Sequence, residues 1–137
     1  MVSLRETAEA WCRYHTRPHT DGEEFDPDWW AVDLLRGSNF ADDTARFREA
    51  ILLTVEVAPS DEVLAVIGAT FLEVVVWGGE DWLQWIERAA SESARFRTAL
   101  ANVWIEELGP DAFLRIQAAA QTELPWHDAH GRRPRAS

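Results

Sequence analysis

The feature that most constrains this chain is an apolar run, Val63–Trp77, whose fifteen positions hold one ionisable residue, Glu73. The run is too short to cross a bilayer, which takes about 20 apolar residues, and its length is typical of a buried helix. Its β-branched residues favour a strand. The flanks favour a helix, because Ser60 is a good N-cap followed by two acids and Gly78-Gly79 is a good stop. We therefore predict a buried helix here.

The rest of the chain carries helix signals of the same kind, and no strand pattern survives beside them. Capping residues, prolines and glycines mark the ends of the further helices. These run from Ser3 to before Pro18, from Asp26-Pro27 to Gly37, from Asp42-Asp43 to before Pro59, from Glu80 to Ala90, from Ser91 or Ser93 to Gly109, and from Pro110 to Gln121. The sequence predicts an all-α fold of about seven short helices, in a bundle or a short α-α stack.

Length and composition favour one domain with a filled core. The chain has 137 residues, of which 47% are hydrophobic and eight are Trp. We expect a helical domain over residues 1–125 and a flexible tail over residues 126–137, because the tail has few apolar residues. Some of the Trp side chains are expected at the surface, since Trp is rarely fully buried and is common at interface hot spots.

The net charge of −11 bounds the choice of partner. A surface this acidic repels nucleic acid and anionic membranes and attracts a protein with a basic surface. The alternative is that the charge only keeps the protein soluble. The chain has no lysine, and we interpret its exclusive use of Arg as a sign of a bacterial genome rich in G and C. With no signal-peptide core near Met1 and a lone Cys12 that excludes an internal disulfide, the expected location is the cytoplasm.

Glu73 is the most interesting single residue, because a carboxylate within an apolar helix is expensive unless it is paired or hydrogen-bonded. The structural interpretation is an anchor that holds a helix N-terminus, an Arg or a Trp N–H. The functional interpretation is a contact in a small-molecule pocket, with aromatic walls made by Trp77, Trp82, Trp85 or Trp104. The first is favoured, since structural networks of this kind are common.

No motif in the chain predicts a catalytic constellation, a metal centre or a cofactor site. A nucleophile elbow, a phosphate loop, a dinucleotide fingerprint and a zinc framework are all missing from the sequence. His127 and His130 lie three apart in the tail without a third ligand, so metal binding is disfavoured. Cys12 is expected to be a buried, inert thiol. The sequence therefore favours a protein that is not an enzyme.

From Phe71 onward the chain resembles an uncharacterised family of small bacterial all-helical proteins, a domain of unknown function. The matching residues are Leu72-Glu73, Gly78, Ile86-Glu87, Ala90, Phe96-Arg97, Leu100 and Val103-Trp104. Two positions depart from the family pattern, with Phe71 in place of a proline and Val74 in place of an aspartate. The resemblance implies an all-helical fold and implies no activity.

The leading hypothesis for function is an acidic protein-interaction module, immunity-like or antitoxin-like, that binds a basic protein partner. The candidate binding residues are Glu73, Trp77, Trp82, Glu87 and Trp104. The alternative is a small enzyme or small-molecule-binding protein with a Trp-lined pocket around Glu73. A structural subunit of a homo-oligomer is the third interpretation. No nucleic acid, membrane, metal or cofactor is expected in any of them.

Overall fold

The structure is a computed structural model. It describes residues 2–18, 26–40, 42–103, 108–122 and 124. Helices and turns make up these residues, and no strand occurs among them. The prediction of an all-α domain built from short helices is therefore confirmed. The predicted boundary after residue 125 and the tail over residues 126–137, with its two His residues, lie outside the described residues.

Eight α-helices follow one another along the described residues. They are α1 (Leu4–Tyr14), α2 (Trp29–Leu34), α3 (Thr44–Val57), α4 (Asp61–Ile67), α5 (Glu73–Val75), α6 (Glu80–Glu92), α7 (Ala94–Leu100) and α8 (Pro110–Ala120). A short 3-10 helix, Gly37–Phe40, follows α2, and a π-helical segment, Gly68–Leu72, joins α4 to α5. The chain groups into two compact units, Met1–Val63 and Leu64–Ser137.

Most helices begin where the sequence predicts, because a side-chain oxygen accepts a hydrogen bond from an exposed backbone N–H of the first turn. Ser3 caps α1 by accepting from the Glu6 N–H at 3.1 Å. Asp43 caps α3 at 3.0 Å, and Ser60 and Ser93 cap α4 and α7 at 3.3 and 3.1 Å. These bonds span three residues and need no tertiary partner, which is why the sequence reveals them.

The predicted start of the second helix at Asp26-Pro27 is wrong, since α2 begins at Trp29. Asp26 does not cap a helix. Its carboxylate accepts from the Asp28 N–H at 2.8 Å, in a turn, and also pairs with Arg17. The ion pair holds the segment in this turn, so the helix starts late. Leu34, the last residue of α2, is 50% exposed.

In the first unit, α1 packs on α2 and on α3. Cys12 is buried there, with its Sγ 3.8 Å from the carbonyl oxygen of Thr54, which is also buried. The Thr54 hydroxyl in turn donates to the Ala50 carbonyl at 2.7 Å. The prediction that Cys12 is a buried thiol is confirmed, and its placement in the α1–α3 contact gives it a packing role.

A cluster of ion pairs ties the end of α1 to the start of α2. The buried carboxylate of Asp28 accepts from Arg13 at 3.1 Å and from Arg17 at 2.7 Å. Burial by itself raises the pKa of Asp28, but hydrogen bonds and positive charge from Arg17 and Arg13 outweigh that effect, so the pKa lies below its ordinary value. The carboxylate is therefore ionised at neutral pH and holds the two Arg side chains together.

In the second unit, α6 packs on α7 and α8, and α7 also packs on the π segment. The last of these contacts depends on Gly68, which is buried. A Cβ at Gly68 would overlap the carbonyl oxygen of Ala99 and lie 3.1 Å from its carbonyl carbon. The backbone of the π segment therefore approaches that of α7 more closely than any side chain allows.

Candidate functional site

We call the helical run Val63–Trp77 the organising helix, and the π segment changes which of its residues are buried. The Glu73 N–H donates to the carbonyl of Gly68, five residues back, where an α-helix would use the fourth. The wider turn holds one extra residue, which shifts the following side chains by about 100° around the axis. The predicted helix over Val63–Trp77 forms as far as Val75, and a π turn interrupts its α-helical register.

The shift is visible in the burial pattern. Before the π segment the buried residues include Val63, Leu64 and Ile67. An undisturbed α-helix would continue that face through positions 71, 74 or 75, and 78. The residues actually buried after it are Leu72, Val75 and Val76, and the face has therefore moved by one position. Because the run is apolar at positions 71, 72 and 74–76, its sequence is compatible with both registers.

The shift leaves Val74 exposed, one turn before Trp77, which is exposed as well. Val74 is 66% exposed and Trp77 is 53% exposed. They are three residues apart, about one helical turn, and the Trp77 N–H donates to the Val74 carbonyl at 3.3 Å. We call these two residues the Val74–Trp77 pair. Trp77 was predicted to be a binding residue, and Val74 was not.

The turn that carries Trp77 ends in two glycines, and a different structural constraint requires glycine at each position. Gly79 has a φ of +92° and a ψ of −172°, a conformation that essentially only glycine adopts. Gly78 has an ordinary conformation, but a Cβ there would overlap the indole of Trp82. Together they fix the path of the chain immediately after the Val74–Trp77 pair.

The indole of Trp82 packs against this turn at Gly78. Its indole is T-shaped to that of Trp85, with ring centroids 5.3 Å apart. Trp85 is in turn T-shaped to the fully buried ring of Phe96, at 5.7 Å. Edge-to-face pairs of this kind are favourable beyond the area they bury. Trp82 is half-buried and packs against the turn that presents Trp77, and its role as a binding residue stays a prediction.

Acidic side chains flank the pair. The stretch Glu73–Glu92 holds five acids and a single Arg. Glu80 and Asp81 open α6 directly after the glycine turn, and both are exposed. Carboxylates beside an exposed apolar pair favour a partner whose own apolar surface is ringed by positive charge.

Glu87, another predicted binding residue, takes part in an ion-pair network with α8. Arg115 donates two hydrogen bonds to the Glu87 carboxylate, from Nη2 at 2.6 Å and from Nε at 3.3 Å. Its Nη1 forms an ion pair with Glu80. The hydrogen bond from Arg115 lowers the pKa of Glu80, with a smaller contribution from Gln84. Hydrogen bonds to Glu87 and then Glu80 raise the pKa of Arg115. The network keeps a net negative charge, since one Arg serves two carboxylates.

Glu73 is partly exposed at the start of α5. A partly exposed carboxylate keeps some contact with water, and a binding role for Glu73 stays a prediction. Three grooves lined by described residues have volumes of about 190, 340 and 440 Å³, and Glu73 lines none of them. Trp77, Trp82 and Trp85 also lie outside these linings. Trp104 lies outside the described residues.

Sequence reasoning missed Val74 and Arg115 as members of this surface. The signal for Val74 was the apolar run itself, which fits two registers without deciding between them. Arg115 has no local signal, because its partners are 28 and 35 residues away. Within the described ranges, no group of three or more His, Cys, Asp or Glu side chains is placed to hold a metal ion.

The fold and the surface define a class: a small all-α protein with an exposed apolar turn among carboxylates. A model of a family of unknown function (DUF6869) matches residues 18–124, and the chain belongs to this family. The predicted membership in an uncharacterised family is thereby confirmed. Searches of curated proteins and of solved structures give no match. Among the described helices, none has the length and apolar character needed to cross a membrane.

Proposed function

We propose that this protein is an interaction module that binds a basic protein partner through the Val74–Trp77 pair. The observation that carries the proposal is the exposure of two adjacent large apolar side chains on a glycine-ended turn. Trp is among the residues that most often dominate binding energy at protein interfaces. Exposed apolar surface rimmed by polar groups is typical of protein-binding sites.

The charge of the chain supports a basic partner. The net charge is −11, and the carboxylates of Glu80 and Asp81 stand directly after the pair. Complementary charge speeds association and excludes acidic competitors, while the apolar contact supplies most of the affinity. A bacterial protein that covers a basic toxin or effector, as an immunity protein or antitoxin does, is the biological form we propose. Its expected compartment is the cytoplasm, where the lone Cys12 stays a thiol.

The firm support of the turn suits this role. A binding anchor that is held rigidly before it meets its partner loses less conformational entropy on binding. Trp82 packs against Gly78, and the aromatic contacts through Trp85 connect it to the buried Phe96. The side chain of Trp77 is therefore presented from a backbone that is already ordered.

The test is affinity capture from the native host with three versions of the chain. These are the wild type, the double variant Val74→Ser/Trp77→Ala, and the control Leu52→Ser, which removes an exposed apolar side chain from α3. We expect a basic protein to be captured by the wild type and the control and lost with the double variant. Capture should weaken from low to moderate salt, since the rim charges are screened.

A calorimetric titration with the captured partner gives the second readout. Trp77→Ala should weaken binding by about 2 kcal/mol or more, as expected of a hot spot. Equal capture by all three versions, or no capture at either salt concentration, would contradict the proposal. Light scattering over a range of concentrations addresses the third interpretation, because a homo-oligomer that buries the Val74–Trp77 pair dissociates in the double variant.

A further inference from the structure

The first unit carries a groove that the proposed function does not use. Its volume is about 190 Å³. Its apolar walls come from the start of α1 and the residues before it, from the end of α2, and from the 3-10 helix. The apolar lining residues are Val2, Leu4, Leu34, Leu35 and Phe40. An engineered apolar cavity of about 150 Å³ holds a benzene molecule, so this groove has room for one group of that size.

The walls of the groove are partly open to solvent. Leu34 is 50% exposed and Val2 is 47% exposed, although both belong to apolar walls. Binding of an apolar group in a concave site removes such apolar surface from water, which is favourable. The groove therefore favours a ligand with one compact apolar side chain.

Arg46 supplies the charged group of the groove. It lies in the first turn of α3, where its backbone N–H donates to Asp43. Arg46 is exposed and lines the groove, and a guanidinium can bind a carboxylate through two parallel hydrogen bonds.

Asn39 supplies a neutral acceptor. Its Nδ2 donates to the carbonyl oxygens of Asp33 and Leu34, at 2.7 and 3.2 Å. Only the amino half of an amide donates, so these two bonds fix the orientation of the side chain. The Oδ1 atom is thereby held away from both carbonyls, on a residue that lines the groove. It can accept one hydrogen bond from an amide N–H.

We infer that this groove binds the C-terminal residue of a peptide whose last side chain is apolar. The apolar side chain fills the groove, the terminal carboxylate meets Arg46, and the N–H of the last residue donates to Asn39 Oδ1. A peptide end offers these three features on a single residue, and capture of a terminal carboxylate is an established mode of peptide recognition. The inference stands apart from the proposed function, because it uses other residues and the opposite charge.

Asp43 provides a second, independent way to test this binding mode. Its carboxylate stands beside Arg46 at the start of α3 and opposes the approach of another anion. Asn caps a helix about as well as Asp. The substitution Asp43→Asn should therefore keep α3 intact and tighten the binding of a peptide carboxylate.

The experiment is an NMR titration of the full-length, ¹⁵N-labelled chain with N-acetyl-Gly-Leu. Two matched probes are the same dipeptide with an amidated end and N-acetyl-Gly-Gly. We expect shifts confined to the residues that line the groove. Each matched probe should bind about tenfold more weakly than N-acetyl-Gly-Leu, which corresponds to about 1.4 kcal/mol.

Variants decide whether Arg46 is responsible. Arg46→Gln should lower the affinity for N-acetyl-Gly-Leu to that of the amidated probe. The control Arg88→Gln removes an exposed Arg of α6 and should leave the affinity unchanged. Thermal melts of both variants establish that they remain folded. Absence of binding, equal binding of the amidated probe, or an Arg46→Gln variant that binds as the wild type does would each overturn the inference.

Discussion

The indole of Trp82 lies directly on Gly78, with no space between them for a side chain. A Cβ built at Gly78 would overlap Cδ1 of the indole and stand 2.7 Å from its Cγ. The same Cβ would lie 3.0 Å from the carbonyl oxygen of Val75. This contact couples the start of α6 to the turn that presents Trp77.

Gly78→Ala should therefore destabilise the protein by about 1–3 kcal/mol, the usual cost of overpacking. The carbonyl of Val75 belongs to the backbone and cannot move freely, so the indole of Trp82 has to move instead. Chemical denaturation gives the free energy of unfolding, and near-UV circular dichroism reports the Trp environment. An unchanged near-UV spectrum would show that Trp82 does not rest on Gly78.

Two other glycines serve as matched controls. Gly79→Ala should cost about 1–3 kcal/mol through its positive φ, with little change in the near-UV spectrum, since nothing lies within 4 Å of its Cβ position. Gly109 has neither constraint, with a φ of −53° and open space around it. Gly109→Ala should change the free energy of unfolding by less than about 1 kcal/mol, because restriction of the unfolded chain is offset by a poorer N-cap for α8.

Gly68→Ala should be the most damaging of the small substitutions in the organising helix. The new Cβ meets the carbonyl of Ala99, which belongs to the backbone of α7, so either the π segment or α7 has to shift. We expect a loss of about 3 kcal/mol, at the upper end of overpacking costs. The melting temperature and the urea midpoint measure the effect.

Ala69→Ser is the control for that substitution, because Ala69 is an exposed neighbour in the same π segment. It should change the free energy of unfolding by about 0.5 kcal/mol or less, in line with helix propensity. Similar losses for the Gly68 and Ala69 variants would mean that the π segment itself is fragile and that the contact with Ala99 is not the cause.

Asp28→Asn should destabilise the protein by about 1–3 kcal/mol at pH 7, because hydrogen bonds to a charged acceptor are lost between Asp28 and the two Arg side chains. The folded pKa of Asp28 lies below its unfolded value of about 3.9. Its stabilisation is therefore fully present above about pH 4 and is lost as the pH falls through the folded pKa. Thermal melts from pH 7 downward should show the variant and the wild type converging below about pH 4.

Asp33→Asn is the matched control. Asp33 pairs with Arg36 at 3.6 Å, and both side chains are more than half exposed. Exposed pairs contribute little, so the change should stay within about 0.5 kcal/mol at every pH. An Asp28 variant whose deficit does not shrink in acid would contradict the ion-pair account.

Trp77→Ala and Phe96→Ala should differ sharply in stability. Phe96 is fully buried, so its truncation should cost about 3–5 kcal/mol. Trp77 is 53% exposed, and its truncation should cost about 1 kcal/mol or less. Equilibrium unfolding of the two variants under identical conditions measures both. A Trp77→Ala variant as unstable as Phe96→Ala would make Trp77 a core residue and remove the basis of the proposed interface.

The candidate surface was predictable in part. The excess of Trp and of acids pointed to an interface, and Trp77 is one of the exposed apolar side chains. Trp82 packs against the turn and Glu87 pairs with Arg115, and a binding role for either stays a prediction. Composition identifies which side chains suit an interface, but exposure depends on what packs around each of them.

The sequence by itself determined where most helices begin and end. Ser3, Asp43, Ser60 and Ser93 cap their helices through bonds that span three residues, and Gly78-Gly79 ends the organising helix. Such signals are local, so they act before any tertiary contact forms and can be read from neighbouring residues alone.

Tertiary structure alone decided the register of the organising helix and the pairing of the charges. The apolar run could bury the face of an undisturbed α-helix or the face one residue further on. The π segment selects the shifted face, and it packs through Gly68 on the carbonyl of Ala99. Arg115 likewise finds Glu87 only after α8 packs on α6. The physical reason is that burial and ion pairing depend on residues far apart in the chain, whose separation is set by the fold and not by local preference.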